Sequence, residues 1–224
     1  MIRRLILRLK KILESTNIIG KEVVYDDSCT LIGSTLTGKV TLGAGCRVYK
    51  SYLSGPITIG RYTSLSGPNT DLWAKINPIS IGNFCSIARN VTMQEYNHNP
   101  KKISTYFMGK NVFSEVWKDE QISKAGIEVG HDVWIGTHCV LLSGAKIGNG
   151  AIIAANSVVT GEIPAYAIAA GSPAKVIKYR FSEEMISSLN ALGWWHWPME
   201  KIQGNKQLFE NDFNADTLTK VINS

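Results

Sequence analysis

The stretch VGHDVWIGTHCVLLSGAKIGNGAIIAANSVV, residues 129–159, decides the fold. Every sixth residue in it is aliphatic, and six residues are enough for one short strand and one corner. Coils built from such units stack as parallel strands, with the repeated aliphatic side chains inside. The stretch therefore predicts an all-β solenoid with a core column made of Val129, Ile135, Leu141, Ile147, Ile153 and Val159.

The same period continues towards the N-terminus. It places aliphatic or Met side chains at Leu36, Leu42, Val48, Ile59, Leu65, Ile81, Ile87 and Met93. A short phrase that ends in glycine recurs as VTLG (40–43), ITIG (57–60), ISIG (79–82), IEVG (127–130) and AKIG (145–148). Glycine suits a corner where the backbone needs a positive φ or approaches its neighbour closely. We predict that the solenoid occupies residues 23–177.

The cysteines support the same frame. Cys46, Cys85 and Cys139 each lie four residues after a repeat aliphatic, in a slot that elsewhere holds Thr63, Val91, Val133, Ala145, Ala151 and Ser157. A slot for small interior side chains predicts buried thiols rather than catalytic or metal-binding ones. Cys29 lies outside the pattern and stays unassigned. Without a CxxC motif, we expect reduced thiols and a cytoplasmic protein.

Composition and charge narrow the function. The chain has 224 residues, of which 44% are hydrophobic and 19% charged, enough apolar material for one sizeable core. Its net charge of +6 comes largely from five cations in the first eleven residues, which leaves only +1 on the remainder. A basic nucleic-acid-binding face is therefore not supported. No apolar run reaches the roughly 18 residues that a membrane span needs, and the N-terminus does not resemble a cleavable signal peptide.

The N-terminal segment, residues 1–22, departs from the six-residue period. Its apolar residues are spaced for one face of a helix, with the cations mostly opposite. The spacing predicts a basic amphipathic helix. Residues 1–13 could lie on an anionic membrane surface, at the inner face of the cell membrane, or dock on the protein itself. The apolar residues are Ile2, Leu5, Ile6, Leu9, Ile12 and Leu13.

Two further segments depart from the period. Residues 94–126 are rich in polar and aromatic side chains and interrupt two good blocks of repeat, which is typical of a functional loop. Residues 178–224 form a tail in which Ser182, followed by Glu183 and Glu184, predicts an N-capped amphipathic helix. We expect this helix to cover the open end of the coil, with the tryptophans of WWHWP (194–198) packed at its end.

Several motifs together resemble the hexapeptide-repeat acyltransferases of the xenobiotic, or chloramphenicol-type, acetyltransferase family, from about Thr58 to the tail. The resemblance implies a left-handed parallel β-helix, a homotrimer with active sites at subunit interfaces, and transfer of acetyl from acetyl-CoA to a hydroxyl group without a metal. The motifs are IGNFCSI (81–87), YNHNP (96–100), STYF (104–107), VGHDVWIGTHC (129–139), IGNGAIIAANSVVTGEIPAYAIAAGSPAKVIKYRF (147–181) and WWHWP (194–198).

In that family a loop histidine is the general base, and the matching residue here is His98. The chemistry agrees, because a thioester is already activated and the missing part is a base for the alcohol proton. Glu95 and Asn97 are candidates to orient the imidazole, and Glu115 or Asp119 in the same loop are alternatives that the sequence does not separate.

The resemblance also assigns a binding cleft. Trp134 and Tyr106 would line the acceptor or CoA cleft, although subunit packing is an alternative for Trp134. The pantetheine arm would run past small residues that leave backbone amides accessible, and two lysines would meet the nucleotide phosphates unless they are only a solvated charge run. These cofactor-binding candidates are Gly136, Ala154, Ala155, Lys175 and Lys178.

Departures from the family pattern bear on the acceptor. Drug-acetylating relatives carry YSYYSG, GHR and STFPF, where this chain has YTSLSG (62–67), NHNP (97–100) and STYFM (104–108). These changes and the basic N-terminus favour a carbohydrate acceptor, either a surface polysaccharide, an oligosaccharide or a sugar precursor. The alternative acceptor is an antibiotic, chloramphenicol or streptogramin A.

Two functions of other classes are weaker alternatives. A zinc lyase of the γ-carbonic anhydrase kind shares the solenoid and would use His98, His131 and His138, but two of these are only seven residues apart and lie on successive faces. A noncatalytic trimeric scaffold would not need a histidine in a polar loop. His196 lies among the tryptophans and is expected to pack there.

Overall fold

A computed structural model describes residues 15–213, which form a parallel β-solenoid with three faces. One face is a seven-stranded parallel sheet, and the other two belong to a 13-stranded sheet in which two long strands cross from face to face. In chain order the strands are β1 Ile18–Ile19, β2 Val24–Tyr25, β3 Thr30–Ile32, β4 Thr35–Thr37, β5 Val40–Leu42, β6 Arg47–Ser54, β7 Ile57–Ile59, β8 Ser64–Trp73, β9 Ile79–Ile81, β10 Ser86–Ile87, β11 Thr92–Gln94, β12 Asn97–His98, β13 Gln121–Ile122, β14 Ile127–Val129, β15 Trp134–Ile135, β16 Val140–Leu142, β17 Lys146–Ile147, β18 Ile152–Ile153, β19 Val158–Val159, β20 Glu162–Ile163, β21 Ala167–Gly171 and β22 Ala174–Tyr179.

The six-residue period produces the core as predicted. All six aliphatic residues of the 129–159 column are at most 5% exposed, and those of the earlier blocks are buried as well. The register explains this, because Ile87 pairs with Leu65 on one side and Ile135 on the other, so that equivalent side chains stack inwards. The prediction of an all-β solenoid is confirmed.

The corner glycines are explained by close approach of the backbone. A Cβ added at Gly82 would lie 2.4 Å from the carbonyl oxygen of Gly130 in the next coil, and one added at Gly148 would lie 2.4 Å from the amide nitrogen of Ala165. Real Cβ atoms do not come this close to backbone atoms. Glycine at these corners therefore lets successive coils stack at hydrogen-bonding distance.

The buried cysteine slot is confirmed, and the partly buried Cys29 occupies the same slot in the first coil. The Cys46, Cys85 and Cys139 side chains are buried, and each thiol donates to a carbonyl oxygen of the next coil. Burial raises the pKa of Cys46 to about 11 and that of Cys85 to about 12. Cys29 makes the same contact, 3.2 Å to Gly43, one coil earlier. The sequence pattern did not reveal this position of Cys29, because Tyr25 rather than an aliphatic residue lies four residues before it.

The N-terminal boundary differs from the prediction. Residues 1–14 of the predicted helix lie outside the described residues, but residues 18–22 do not belong to a helix. Strand β1 pairs with β4, and the Ile18 amide donates to the Ser34 carbonyl at 2.9 Å. Backbone hydrogen bonds to the next coil, from Ile18 to Ser34 and from Gly20 to Leu36, hold residues 18–20 in an extended conformation. The solenoid therefore begins before residue 23.

The tail contains the predicted helix, here α1 (Glu183–Leu192), and the side chain of Ser182 caps it. A 3₁₀ turn at Trp194–His196 and the helices α2 (Met199–Gly204) and α3 (Lys206–Glu210) follow. The expected position is wrong, because the tail lies along a corner of the solenoid rather than over its end. Arg61 and Asn83, two successive corner residues, both donate to the Trp195 carbonyl, at 3.1 Å each.

The last coil ends in a hairpin. Strand β22 pairs antiparallel with β21, so the sheet extends to Tyr179, beyond the predicted boundary at residue 177. Within residues 15–213, no helix is both long enough and apolar enough to cross a membrane.

Candidate active site

The excursion leaves the solenoid after strand β11 and returns at β14. Strands β12 and β13 pair antiparallel at its base, with Asn97 opposite Ile122 and His98 opposite Gln121. Between them the loop contains a π-helical turn, Gly109–Phe113. The short ladder therefore ties His98 to the base of the loop rather than to its tip.

The imidazole of His98 is exposed and held in one orientation. Its Nδ1 lies 2.5 Å from the carbonyl oxygen of Thr105, and its ring packs against Phe107 with a centroid distance of 4.4 Å. A carbonyl oxygen can only accept, so in the neutral ring Nδ1 carries the proton. Nε2 is then left with its lone pair, which is the arrangement that a general base requires.

Glu95 does not orient His98, contrary to the prediction. Its side chain is fully buried, and its carboxylate accepts hydrogen bonds of 2.9–3.0 Å from the backbone amides of Lys75, Ile76 and Asn77. Desolvation raises the pKa of this carboxyl, but hydrogen bonds from Ser123 and from the three amides outweigh it, so the net pKa is lowered. Glu95 instead ties the start of the excursion to the preceding coil.

The other orienting candidates also have different partners. The backbone of Asn97 pairs with Ile122, Glu115 accepts from the Trp117 indole at 2.6 Å, and Asp119 pairs with Lys102 at 2.5 Å. The hydrogen bond from Lys102 lowers the pKa of Asp119. The group that does contact His98 is the backbone carbonyl of Thr105. Every residue type has a backbone carbonyl, so the amino-acid sequence does not reveal this contact.

A cleft of about 400 Å³ lies in the excursion beside His98 and has an aromatic wall and a charged rim. The Phe107 ring that packs on His98 also lines the cleft, and Trp117 lines both this cleft and a smaller one that Tyr106 lines. The Tyr106 side chain is 57% exposed. The lining residues of the larger cleft are Lys75, Tyr96, Phe107, Lys110, Glu115, Val116, Trp117, Glu120 and Gln121.

The predicted CoA-side residues lie elsewhere on the solenoid. Trp134 is 54% exposed and stands on the outer surface between Ser86 and Ile152 of the neighbouring coils. The amides of Gly136 and Ala154 donate to Ile153 and Ala169 in the next coil, so the prediction that they are accessible to pantetheine is wrong. Ala155 is exposed at this corner, and Lys175 and Lys178 are exposed on β22.

One copy of the chain does not bring these two groups together. The Gly136 corner precedes strand β16, whereas the excursion with His98 follows β11, which is the neighbour of β16 in the same face. His98 and the corner that holds Gly136 therefore lie at opposite ends of one face.

The remaining histidines have structural partners. His131 is half-buried, stacks on Trp195 at 5.4 Å, and accepts the Asn83 amide proton at Nδ1 over 2.8 Å. Burial, and then the neighbouring His196, lower the pKa of His131. His138 contacts Thr137 and Asn90 at another corner. Among residues 15–213 no group of three or more His, Cys, Asp or Glu side chains is arranged to hold a metal ion.

The repeats and the histidine loop define a transferase of the hexapeptide class. The family model of the bacterial transferase hexapeptide (six repeats) matches residues 126–161. A Lysinibacillus sphaericus protein named "Probable macrolide acetyltransferase" is 40% identical over 146 residues, which cover 62% of this chain and 80% of that protein. The chloramphenicol acetyltransferase of Morganella morganii is 35% identical over 170 residues, covering 66% and 79% of the two chains.

The comparisons also reach sugar-modifying enzymes. The galactoside O-acetyltransferase of Escherichia coli K12 is 35% identical over 133 residues, covering 58% of this chain and 57% of that enzyme. Among solved structures, AntD, an N-acyltransferase from Bacillus cereus in complex with dTDP and 3-hydroxybutyryl-CoA, superposes with a TM-score of 0.56 at 21% identity. The match covers 83% of this chain and 93% of AntD, and shows the fold alone.

The chain belongs to the hexapeptide-repeat acetyltransferases of the xenobiotic acetyltransferase family, whose solenoid is a left-handed β-helix. It is therefore an acetyl-CoA-dependent O-acetyltransferase. The relatives include proteins named for a macrolide or chloramphenicol as well as one named for a galactoside. They leave the zinc-lyase and scaffold alternatives without support.

Proposed function

We propose that this enzyme acetylates a hydroxyl group of an antibiotic of the chloramphenicol, macrolide or streptogramin A type, with His98 as the general base. The observation that carries the proposal is the contact of His98 Nδ1 with the Thr105 carbonyl, which leaves Nε2 exposed as a proton acceptor. The choice of acceptor rests on the macrolide and chloramphenicol acetyltransferases to which the chain is similar.

In the proposed reaction, Nε2 takes the proton of the acceptor hydroxyl while the oxygen attacks the thioester carbon of acetyl-CoA. The carbonyl π electrons move to its oxygen, and a tetrahedral oxyanion forms. Its collapse breaks the C–S bond, and the proton on His98 passes to the leaving sulfur, giving the acetyl ester, CoA and a neutral imidazole. Phe107 packs against the ring and, together with the Thr105 contact, limits its rotation.

We further propose that the complete site needs a second copy of the chain. In a homotrimer, the loop that bears His98 would face the corner of the neighbouring copy that holds Trp134, Gly136, Ala154 and Ala155. The support is that His98 and the corner that holds Gly136 lie at opposite ends of one face within a single copy. Lys175 and Lys178, exposed on β22, would be available to the phosphates of CoA.

A saccharide is the second candidate acceptor. The cleft beside His98 combines an aromatic wall, Tyr96, Phe107 and Trp117, with a rim of lysine, glutamate and glutamine side chains. Aromatic faces with surrounding hydrogen-bonding groups suit the apolar face and the hydroxyls of a sugar ring. The departures in the YTSLSG and NHNP motifs point the same way.

Thiol release from acetyl-CoA tests both candidates. The purified protein would be assayed with chloramphenicol, streptogramin A and a macrolide, and in parallel with sugars, sugar nucleotides and oligosaccharides. Turnover on a drug with an ester identified by mass spectrometry supports the proposal. Turnover on saccharides alone overturns the antibiotic assignment, and release that is unchanged in His98→Gln overturns the role of the base.

A further inference from the structure

The first coil of the solenoid exposes an apolar end. Ile19 and Tyr25 are 38% and 42% exposed, whereas their register partners in the second coil, Leu36 and Leu42, are buried beneath them. Each of strands β1, β2 and β3 pairs with the next coil only, and none has a strand partner on its outer side within residues 15–213. The end surface is defined here as residues 18–32.

We propose that residues 1–14 of the same chain dock on this end surface and close the solenoid. The segment joins the fold at its rim, because the Ser15 carbonyl accepts from the Gly33 amide at 3.1 Å. Its apolar residues recur at the i, i+3, i+4 spacing of one helical face, which includes Leu5 and Leu9. A segment tethered at the rim has a high effective concentration there, so even a small apolar contact favours docking.

Charge complementarity selects this occupant over a membrane. The end surface carries the exposed acidic residues Glu22, Asp26 and Asp27 against one cation, Lys21. Residues 1–14 carry five cations and one acid, Glu14. An anionic lipid surface would be repelled by the acidic rim, whereas the basic segment is attracted to it. A second copy of the chain would bring two acidic rims together, which disfavours end-to-end pairing.

Hydrogen exchange on the full-length chain tests the docking. The reporters are the amides of Ile18, Gly20 and Thr30, which bond to Ser34, Leu36 and Cys46 in the second coil. Leu9→Asp should accelerate their exchange about tenfold, because the uncovered coil opens more often. Leu9→Met, which keeps an apolar side chain of similar size, should leave the exchange unchanged.

A variant of the surface itself gives an independent check. Tyr25→Asp should accelerate the same amides, and combining it with Leu9→Asp should add little, since both changes break one contact. Reporter exchange that is unchanged in Leu9→Asp overturns the proposal. So does binding of the wild-type protein to phosphatidylglycerol vesicles that Leu9→Asp abolishes, or a concentration-dependent dimer that Tyr25→Asp disrupts.

Discussion

Replacement of His98 by glutamine should remove catalysis and leave the fold intact. A general base contributes about 10² to 10⁴ in rate, which corresponds to about 2.7–5.4 kcal/mol of transition-state stabilisation. The structural cost is smaller, because the exposed ring makes one hydrogen bond, to Thr105, worth about 0.5–1.5 kcal/mol, and one ring contact, with Phe107. The rate loss should therefore exceed the stability loss severalfold.

Steady-state kinetics and unfolding measured on the same preparation separate the two effects. In His98→Gln, kcat should fall by the stated factor while the KM for acetyl-CoA stays near its wild-type value, because the base acts only in the transition state. His196→Gln is the control, since His196 is an exposed histidine outside the proposed machinery. A kcat within threefold of wild type, or an equal loss in the control, would refute the assignment.

Three further predictions concern the scaffold. The free energy of unfolding should fall below about pH 6.5, because the pKa of His131 is lowered in the folded protein and its protonation breaks the hydrogen bond from the Asn83 amide. In urea unfolding measured at several pH values, His131→Phe should show a weaker pH dependence than the wild type. Glu95→Gln should lower the free energy of unfolding by about 2–4 kcal/mol at pH 7. In the wild type, the stabilisation that the Glu95 carboxylate provides should be lost as the pH falls through its lowered pKa. Denaturant titration at several pH values measures both effects. Gly150→Ala, at φ +65° with Tyr166 Cε1 2.4 Å from the added Cβ, should lower the melting temperature, whereas Gly161→Ala, with open space around it, should not.

The sequence predicts the solenoid well because its physical cause is local and repeated. Each coil must bury one aliphatic side chain per face, so aliphatic residues such as Ile135 and Leu141 recur every six residues in the sequence. Cys29 could not be assigned from the sequence because Tyr25 replaces the aliphatic residue that would have marked its coil. In the first described coil the requirement for an aliphatic side chain is weaker, because a side chain that no earlier strand covers can be larger, as Tyr25 is.

Long-range contacts were not predictable in the same way. The tail docks through carbonyls of Trp195 and Trp197 that accept from Arg61, residues more than 130 positions away along the chain. The candidate base could be selected from the sequence, but its orienting partner could not. Carboxylates often orient imidazoles, so the sequence suggested acidic neighbours such as Glu95 as partners of His98. The actual partner is the backbone carbonyl of Thr105, which any residue type at that position could supply.

The rigidity of the solenoid bears on where catalysis takes place. The cross-coil bonds of Gly136 and Ala154 show that the ladder uses corner amides for stacking, so the fold has little freedom to bend one end of a face towards the other. His98 is itself tied to the base of its loop by the β12–β13 pair. In the proposed trimer the base therefore meets the thioester through the symmetry of the assembly rather than through loop closure. A monomeric variant should then lose acetyl transfer even though His98 and Thr105 keep their contact.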